Sequence, residues 1–368
     1  MIILTVNAGS SSVRLTAFTP ESAGLRACAE QRHEIGAGTS AEWLADFVGQ
    51  HLHERPRCVA HRVVHGGLRL TSTRRIDADV EAEIERLTPL APLHNPVALA
   101  WVHACRTLWG QDMPQLAVFD TAFFAHLPEV AATYALPREL SAAHGLRRYG
   151  FHGLAHQALW SRWCALRPDL AQGGRIVSFQ LGAGCSVSAI ERGAARDTSM
   201  GFSPLEGLVM ATRSGDVDPA LVTYLQRVAG LSAADVERLL NERSGLLGLS
   251  GVSGDMRELL ASDDPHSRLA VDLYAYRARK VLGAYLAVLG GADGILFGGG
   301  VGENAAGVRA AILGGLGWAG IRVDAAANAA TIGREGCISA PGSPVQAWVV
   351  PVDEARVLAQ EALAALAA

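Results

Sequence analysis

A strand, a glycine turn and a second strand open this chain, and the same unit returns far downstream. Residues 2–18 read as a strand (Ile2–Val6), a polar turn (Asn7–Ser12) and a strand (Val13–Phe18). Ile176–Ile190 repeats the plan, with Ala8-Gly9 matched by Ala183-Gly184 and Ser11 by Ser186, each 175 positions on. That period is far too long for a solenoid. It predicts two domains of one design, each offering a turn of N–H groups and hydroxyls to an anion, phosphate above all. Gly9 lets its turn approach a ligand closely. Two unrelated hairpins with glycine turns would produce the same few matches.

Composition excludes several classes. A chain of 368 residues, 49% hydrophobic and 18% charged, buries a large core in two or three domains. A net charge of −4 provides no basic face, which speaks against a nucleic-acid partner. The six cysteines are scattered with no C-x-x-C, the pattern of reduced thiols in a cytoplasmic protein. No signal precedes the first strand, and the longest apolar run, Val281–Leu289, is too short to span a bilayer, so no membrane role is expected. Lys280 is the only lysine. A Walker loop needs Lys after its glycines and a protein kinase needs a strand Lys with H-R-D; neither is present.

Candidate residues stand at strand ends and in loops. Ser40–Leu52 reads as a helix with Ser40 as N-cap, followed by an apolar strand, Val59–His65. His61 and His65 are four apart, but with no Glu between them and a strand pattern they do not make a zinc helix. Arg62 on that strand asks for an anion, either a ligand or a carboxylate of the protein itself. A helix over Asp77–Leu87 precedes the loop Leu90–Pro96, which carries His94; another helix runs over Val97–Leu108. Asp120 ends the strand Gln115–Phe119, where it is a metal-ligand candidate or a helix cap. Arg147–His156 gathers two arginines, Tyr149, Phe151 and His152 among glycines, with His156 packing on the next helix. Asp197–Pro219 lacks periodicity and reads as a binding loop. In it, Arg213 near Phe202, Pro204 and Leu205 suits a small carboxylate with an apolar tail, or else closes an Arg–Asp turn. Helices are expected over Ser232–Leu240 and Arg268–Leu289. The strand Gly294–Phe297 runs into a glycine loop, Gly298–Asn304, and then a helix, an arrangement that holds phosphate. The G-x-G-x-x-G at Gly315–Gly320 follows a helix and precedes a strand, Ile321–Val323, so it is a helix-ending turn. Glu354 stands where the strand Ala347–Val350 gives way to an Ala-rich helix.

Together these stretches resemble the acetate kinase family. N-A-G-S-S-S, H-R-V-V-H-G-G, A-P-L-H-N-P, V-F-D-T-A-F, R-R-Y-G-F-H-G, D-T-S-M-G-F-S-P-L-E-G-L, T-R-S-G-D-V-D-P, G-V-S-G-D-M-R, G-G-V-G-E-N and V-D-E follow the family's order over nearly the whole chain. The resemblance implies an α/β fold of duplicated ribonuclease H-like (actin-like ATPase) domains with a cleft between them. The N-terminal domain would be residues 1–123 plus 355–368 and the C-terminal, nucleotide-binding domain 124–354. It implies transfer of the ATP γ-phosphoryl group to acetate with Mg²⁺, and a homodimer. Carried over by position, Asn7, Asp120 and Glu354 would serve the metal. Arg62, Arg213, His152 and Asp120 would be catalytic, with His94 supporting the cleft. Arg62, Val64, Leu93, Phe151 and Pro204 would receive the acid. Ser10, Ser12, Arg14, Gly182 and Gly184 would line the phosphate path. Asp255, Met256, Arg257, Gly299, Gly300, Gly302, Glu303 and Asn304 would meet the nucleoside and its α-phosphate side.

The resemblance has departures, and they cluster on phosphate handling. Arg14 stands where the family usually has Lys. Gln180 and Ala183 replace the His and Asn of its H-L-G-N-G-A-S turn. Leu154-Ala155 replaces a Thr-Ser pair and Phe297-Gly298 a Phe-Thr pair. They leave open a longer acyl acceptor, another phosphoryl donor such as pyrophosphate, or a nucleotide-binding relative without turnover. Retained G-V-S-G-D-M-R and G-G-V-G-E-N favour a nucleoside, and the arginines, His152, Asp120 and Glu354 favour an enzyme.

Overall fold

The computed structural model describes residues 1–9, 12–22, 24–34 and 38–367. They form two compact units. The first comprises Met1–Ala125, Phe151–Ala158 and Asp353–Ala368; the second comprises His126–Gly150 and Leu159–Val352.

The first unit is built on strands β1 (Ile3–Ala8), β2 (Ser12–Glu21), β3 (Gly24–Glu34), β4 (Cys58–Val63), β5 (Arg74–Arg75) and β6 (Gln115–Phe119). They make one sheet in the order β3-β2-β1-β4-β6-β5. β1, β2 and β3 form an antiparallel meander, β4 and β6 continue parallel to β1, and β5 closes the edge antiparallel. Strand alternation buries both faces. Leu4, Val6 and Ala8 pack with Leu44, Phe47 and Trp101 on one side. Ile3, Cys58 and Ala60 pack with Leu358, Ala359 and Ala362 of the C-terminal helix, Glu354–Ala367, on the other.

The second unit repeats the plan with β7 (Arg175–Leu181), β8 (Cys185–Glu191), β9 (Ala194–Thr198), β10 (Gly294–Gly298), β11 (Gly336–Cys337) and β12 (Gln346–Val349). Their order is β9-β8-β7-β10-β12-β11, again a meander, two parallel strands and a short antiparallel edge. Phe179 and Phe297 stack at 5.0 Å across β7 and β10. The helix Pro265–Leu289 buries Tyr274, Ala278, Leu282 and Tyr285.

The duplication inferred from the two hairpins is therefore present, but not in the register of the matching letters. Ala8 pairs with Val13, whereas Leu181 pairs with Cys185. The Gly9 N–H donates to the Ser12 carbonyl at 2.9 Å, and the Gly182 N–H to that of Gly184 at 3.0 Å. Gly9 thus corresponds to Gly182, and the second turn is one residue shorter.

Other expectations shift for local reasons. Thr39, not Ser40, caps the first helix, because Glu42 returns a bond to the Thr39 N–H and completes a capping box. β3 and β9 extend both hairpins into meanders through polar, half-exposed strands with no apolar run to announce them. The glycine stretch after β10 is helical from Gly299 to Asn304 rather than a loop. Ile321 and Val323 make only isolated bridges, to Val345 and Ser339.

Candidate active site

In the first unit, four polar side chains converge at the strand ends. Adjacent β1 and β4 present Asn7 and Arg62, β6 ends at Asp120, and the C-terminal helix begins at Glu354. The Asp120 carboxylate accepts from Arg62 Nε at 3.2 Å and from Nη2 at 2.7 Å. Arg62 Nη1 donates to Asn7 Oδ1 at 3.2 Å and lies 3.6 Å from Glu354 Oε2. Asn7 Nδ2 donates to that same oxygen at 2.7 Å. The internal salt bridge is therefore present: Arg62 is held by the protein's own acids. The fork on Asp120 uses the Nε/Nη2 edge. Of five N–H donors, two remain without a partner among the described residues.

Burial pushes the Asp120 carboxyl above its ordinary value and the Glu354 charge adds to that, while Arg62 opposes both. For Arg62, the carboxylates outweigh burial and hold it charged. The N–H of Leu154 also donates to Asp120. Leu154 lies in the first turn of the helix Gly153–Leu166, so the positive end of that helix faces the carboxylate. His152 precedes the helix, and its carbonyl accepts the His156 N–H at 3.0 Å. The His152 backbone has φ 58°, a left-handed conformation uncommon outside glycine and enriched at working sites. Gly153 is required by contact: a Cβ there would sit 2.0 Å from the Asp120 carbonyl oxygen and 2.8 Å from Phe123 Cβ.

Val64 and Phe151 are buried in this unit, while Leu93 is 61% exposed. The Phe151 ring meets His65 edge-on at 5.5 Å. His94 caps the helix Asn95–Trp109 through its backbone. Ser12 opens β2. Arg14 lies opposite Asn7 in the ladder and reaches Glu30 at 3.6 Å on the surface. Ser10 lies outside the described residues. His61 and His65 belong to a strand and the loop after it; His61 pairs with Gln115 at 2.8 Å, which leaves no zinc helix.

Asn7, Asp120 and Glu354 suit Mg²⁺ in kind. All offer hard oxygen donors, two of them carboxylates, and Mg²⁺ takes one or two carboxylates with water and phosphate completing its shell. The cluster already gathers around a cation, the Arg62 guanidinium.

The second unit holds the other guanidinium. Arg213 is half-buried, and its guanidinium donates from Nη1 to the Pro204 carbonyl at 2.8 Å. Among the described residues no acid pairs with it, and burial lowers its pKa. The alternative reading, an Arg–Asp turn, does not form among the described residues. Asp216 accepts the Gly207 N–H instead, and Asp218 caps the helix Pro219–Arg227.

Backbone contacts draw the turn Gly182–Gly184 toward this loop, since the Ala211 N–H donates to the Ala183 carbonyl at 3.0 Å. Gly299, at φ +77°, lies so close to β7 that a Cβ would meet the Leu181 carbonyl at 2.6 Å. Gly300 has open space around it, and Gly302 is buried on the same short helix. Glu303 does not point outward: it accepts the N–H groups of Gly299 at 3.0 Å and Val352 at 3.2 Å. Asn304 bonds the Gly300 carbonyl. Asp255 caps the helix Met256–Leu260 and pairs with exposed Arg257, while Met256 is buried. Gln180 Oε1 is buried without a partner among the described residues.

Sequence reasoning missed Arg309. Fully buried, it donates to the carbonyls of Gly302, Glu303, Asn328 and Thr331 and to Asn328 Oδ1, pinning the glycine helix from behind. Burial lowers it to about 10. An arginine on an apolar helix was the available signal.

Comparison with known proteins adds an independent line. The profile of the Acetokinase family matches residues 26–360. The chain is 48% identical over 308 residues to "Acetate kinase" from Chloroherpeton thalassium, covering 82% of this chain and 74% of that one. It resembles the crystal structure of Porphyromonas gingivalis acetate kinase with a TM-score of 0.89 at 36% identity, over 99% of both chains. It resembles a propionate kinase from Francisella tularensis with a TM-score of 0.88 at 33% identity, over 98% of both.

Proposed function

The chain belongs to the Acetokinase family, and from that premise we propose that it is an acetate kinase. It moves the γ-phosphoryl group of ATP to acetate, reversibly and by direct in-line displacement, giving acetyl phosphate and ADP. The observation that carries this reading is Arg213, a half-buried guanidinium with no acid of its own, bonded to the carbonyl of Pro204. A buried cation left uncompensated calls for an anion, and the apolar side of that loop suits a methyl group.

Phosphoryl transfer asks the protein mainly for alignment and neutralised charge. A carboxylate approaching an anionic phosphate is repelled. Arg213 holds the carboxylate, and the two spare N–H donors of Arg62 meet the transferring group. Asp120 keeps Arg62 from turning away. His152 donates a hydrogen bond to the same group, from a backbone whose conformation is fixed by Gly153. Asn7, Asp120 and Glu354 would hold Mg²⁺, which when bound neutralises charge on the β- and γ-phosphate oxygens. Val64, Phe151 and Leu93 would exclude larger acyl tails, and Pro204 would serve the acid beside Arg213. The Gly182–Gly184 turn and the glycine helix at Gly299 receive the nucleotide. Homodimeric assembly and a cytoplasmic location accompany this reading; among the described residues no helix is long and apolar enough to cross a membrane.

Similarity to a propionate kinase supports a second, close reading in which propionate is also used. One methylene is worth only ~1–3 kcal/mol of discrimination, so propionate is the poorer substrate rather than none. Trapping the acyl phosphate as its hydroxamate, with ATP and Mg²⁺ and each acid in turn, tests both. Acetate should give the highest kcat/KM, and the signal should collapse in Arg213→Ala and Arg62→Ala. An undiminished signal in both variants would remove the roles given to those arginines.

A further inference from the structure

Arg213 lacks an acid although its own segment is rich in them. Asp197, Glu206, Asp216 and Asp218 all lie within 16 positions of it in sequence, and each is engaged elsewhere. Asp197 accepts the Thr198 N–H, Asp216 the Gly207 N–H and Asp218 the Ala220 N–H, at 2.7, 2.8 and 2.8 Å. Glu206 is the one closest in sequence to Pro204, whose carbonyl Arg213 binds.

Glu206 is held by two side chains. Arg148 Nη2 donates to Oε1 at 2.7 Å, and the Tyr134 hydroxyl donates to Oε2. That hydroxyl also accepts the Phe202 N–H at 2.8 Å. Arg148 Nη1 reaches the Thr198 carbonyl at 3.2 Å, and its guanidinium lies 5.6 Å over the Tyr134 ring. Gly201 leaves room for the cluster, since a Cβ there would stand 1.7 Å from Glu206 Oε2 and 2.0 Å from the Tyr134 oxygen. Neighbouring N–H groups of Tyr149 and Gly150 bond the Gly201 carbonyl at 2.9 and 3.3 Å.

We propose that Arg148 and Tyr134 are positioning residues that sequester Glu206, so that the guanidinium of Arg213 stays free to bind the substrate carboxylate. The inference rests on the carboxylate role given to Arg213 above. Released from Arg148, Glu206 is a tethered competitor for Arg213, present at an effective concentration no free acid matches. A purely structural cluster would behave differently: removing a second member would deepen the damage instead of repairing it.

The test is a double-mutant cycle read in KM. Arg148→Met should raise KM for acetate about tenfold, the effect of losing one charge-assisted contact worth ~1.4 kcal/mol, with KM for ATP changed less than about twofold. Arg148→Met/Glu206→Gln should bring the acetate KM back to within about threefold of the unmodified enzyme, since the competitor has lost its charge. Should Arg148→Met fail to fold, Tyr134→Phe with and without Glu206→Gln takes its place, with a smaller rise that the second change removes. A double variant no better than the single one, or both KM values rising together, would overturn the proposal. If the unmodified enzyme forms no acyl phosphate from any short carboxylate, the parent reading fails. The dissociation constant of inorganic phosphate, measured by calorimetry on the same variants, then reads the sequestration by itself: weaker in Arg148→Met and restored in the double variant supports it, and an unchanged series refutes it.

Discussion

Gly153→Ala is the smallest change that reaches the candidate site without touching a charged group. The added Cβ would lie 2.0 Å from the Asp120 carbonyl oxygen and 2.8 Å from Phe123 Cβ. Ordinary contact needs ~3.2 Å or more, so the backbone must give by about 1 Å. Both obstacles belong to the short helix that starts at Asp120, and neither is the far end of a flexible side chain. The helix Gly153–Leu166 therefore retreats, carrying its Leu154 N–H from the Asp120 carboxylate and shifting His152. Overpacking of this kind costs ~1–3 kcal/mol of stability. A 1 Å misplacement of an aligned group costs ~10²-fold in rate. The expected result is a folded enzyme, melting several degrees lower, whose kcat falls about 100-fold in the hydroxamate assay. Gly49→Ala, on the helix Ser40–His51, is the control, because a Cβ at Gly49 meets nothing within 4 Å. A Gly153→Ala enzyme with kcat within threefold of the parent would refute the claim that Gly153 sets the geometry of Asp120 and His152.

Other outcomes follow from the same geometry. Arg213→Lys keeps the charge but loses the planar fork and the bond to Pro204, so acyl phosphate formation should fall by ~10²–10³, measured as kcat/KM for acetate. Val64→Ala empties part of a buried wall, and the propionate-to-acetate ratio of kcat/KM should rise by about ten- to 200-fold. Burial depresses the pKa of His61 and His65 to about 4 and His156 to about 3, so these rings stay neutral in the folded protein. Unfolding releases them to titrate near 6.5, so stability is complete above that value and is lost as pH falls toward 4. Each histidine should cost about 2 kcal/mol by pH 5, read as a falling midpoint of urea unfolding. For His61 the cause is visible: Nε2 faces Gln115, and protonating Nδ1 would bury an N–H with no acceptor. A proton NMR titration in which no histidine resists protonation down to pH 5 would contradict this.

The polar residues at strand ends were legible because chemistry at those places needs particular atoms. Asp120 follows a fully buried strand, and Arg62 interrupts another; neither fits an apolar core without a partner. What could not be read was the partner. Arg62 makes the internal salt bridge, one of its two candidate readings, and only the Asp120 and Asn7 distances show how many of its donors are spent. The turns were recognised as a pair, but letters aligned at 175 positions misplace them: the strand ladders match Ala8 with Leu181 and Gly9 with Gly182, an offset of 173. β3 and β9 escaped notice since their half-exposed faces carry no apolar period. Glu303 shows the limit of motif transfer. A glutamate beside a phosphate-holding turn invites assignment to the ligand, yet here it accepts two backbone N–H groups and serves the helix itself.

The contrast between the two arginines is a stronger argument than the presence of both. Arg62 gives three of its donors to Asp120 and Asn7 and lies 3.6 Å from Glu354. Arg213 has acids near it in sequence and, among the described residues, none as a partner. A chain selected only for stability would gain by pairing Arg213, since an unpaired buried charge is costly and an acid lies seven residues away at Glu206. That acid is instead fixed by Arg148 and Tyr134. The electrostatic cost is thus maintained by a dedicated set of bonds, which is intelligible if a small carboxylate supplies the missing charge during turnover. The same logic predicts that acetate stabilises the folded protein in proportion to its occupancy of Arg213, by RT ln(1 + [L]/Kd). Arg213→Met should therefore melt no lower than the parent without acetate, and should gain nothing when acetate is added. An Arg213→Met protein that melts well below the parent in the absence of acetate would mean that this guanidinium is structural, and the proposal for its role would fall with it.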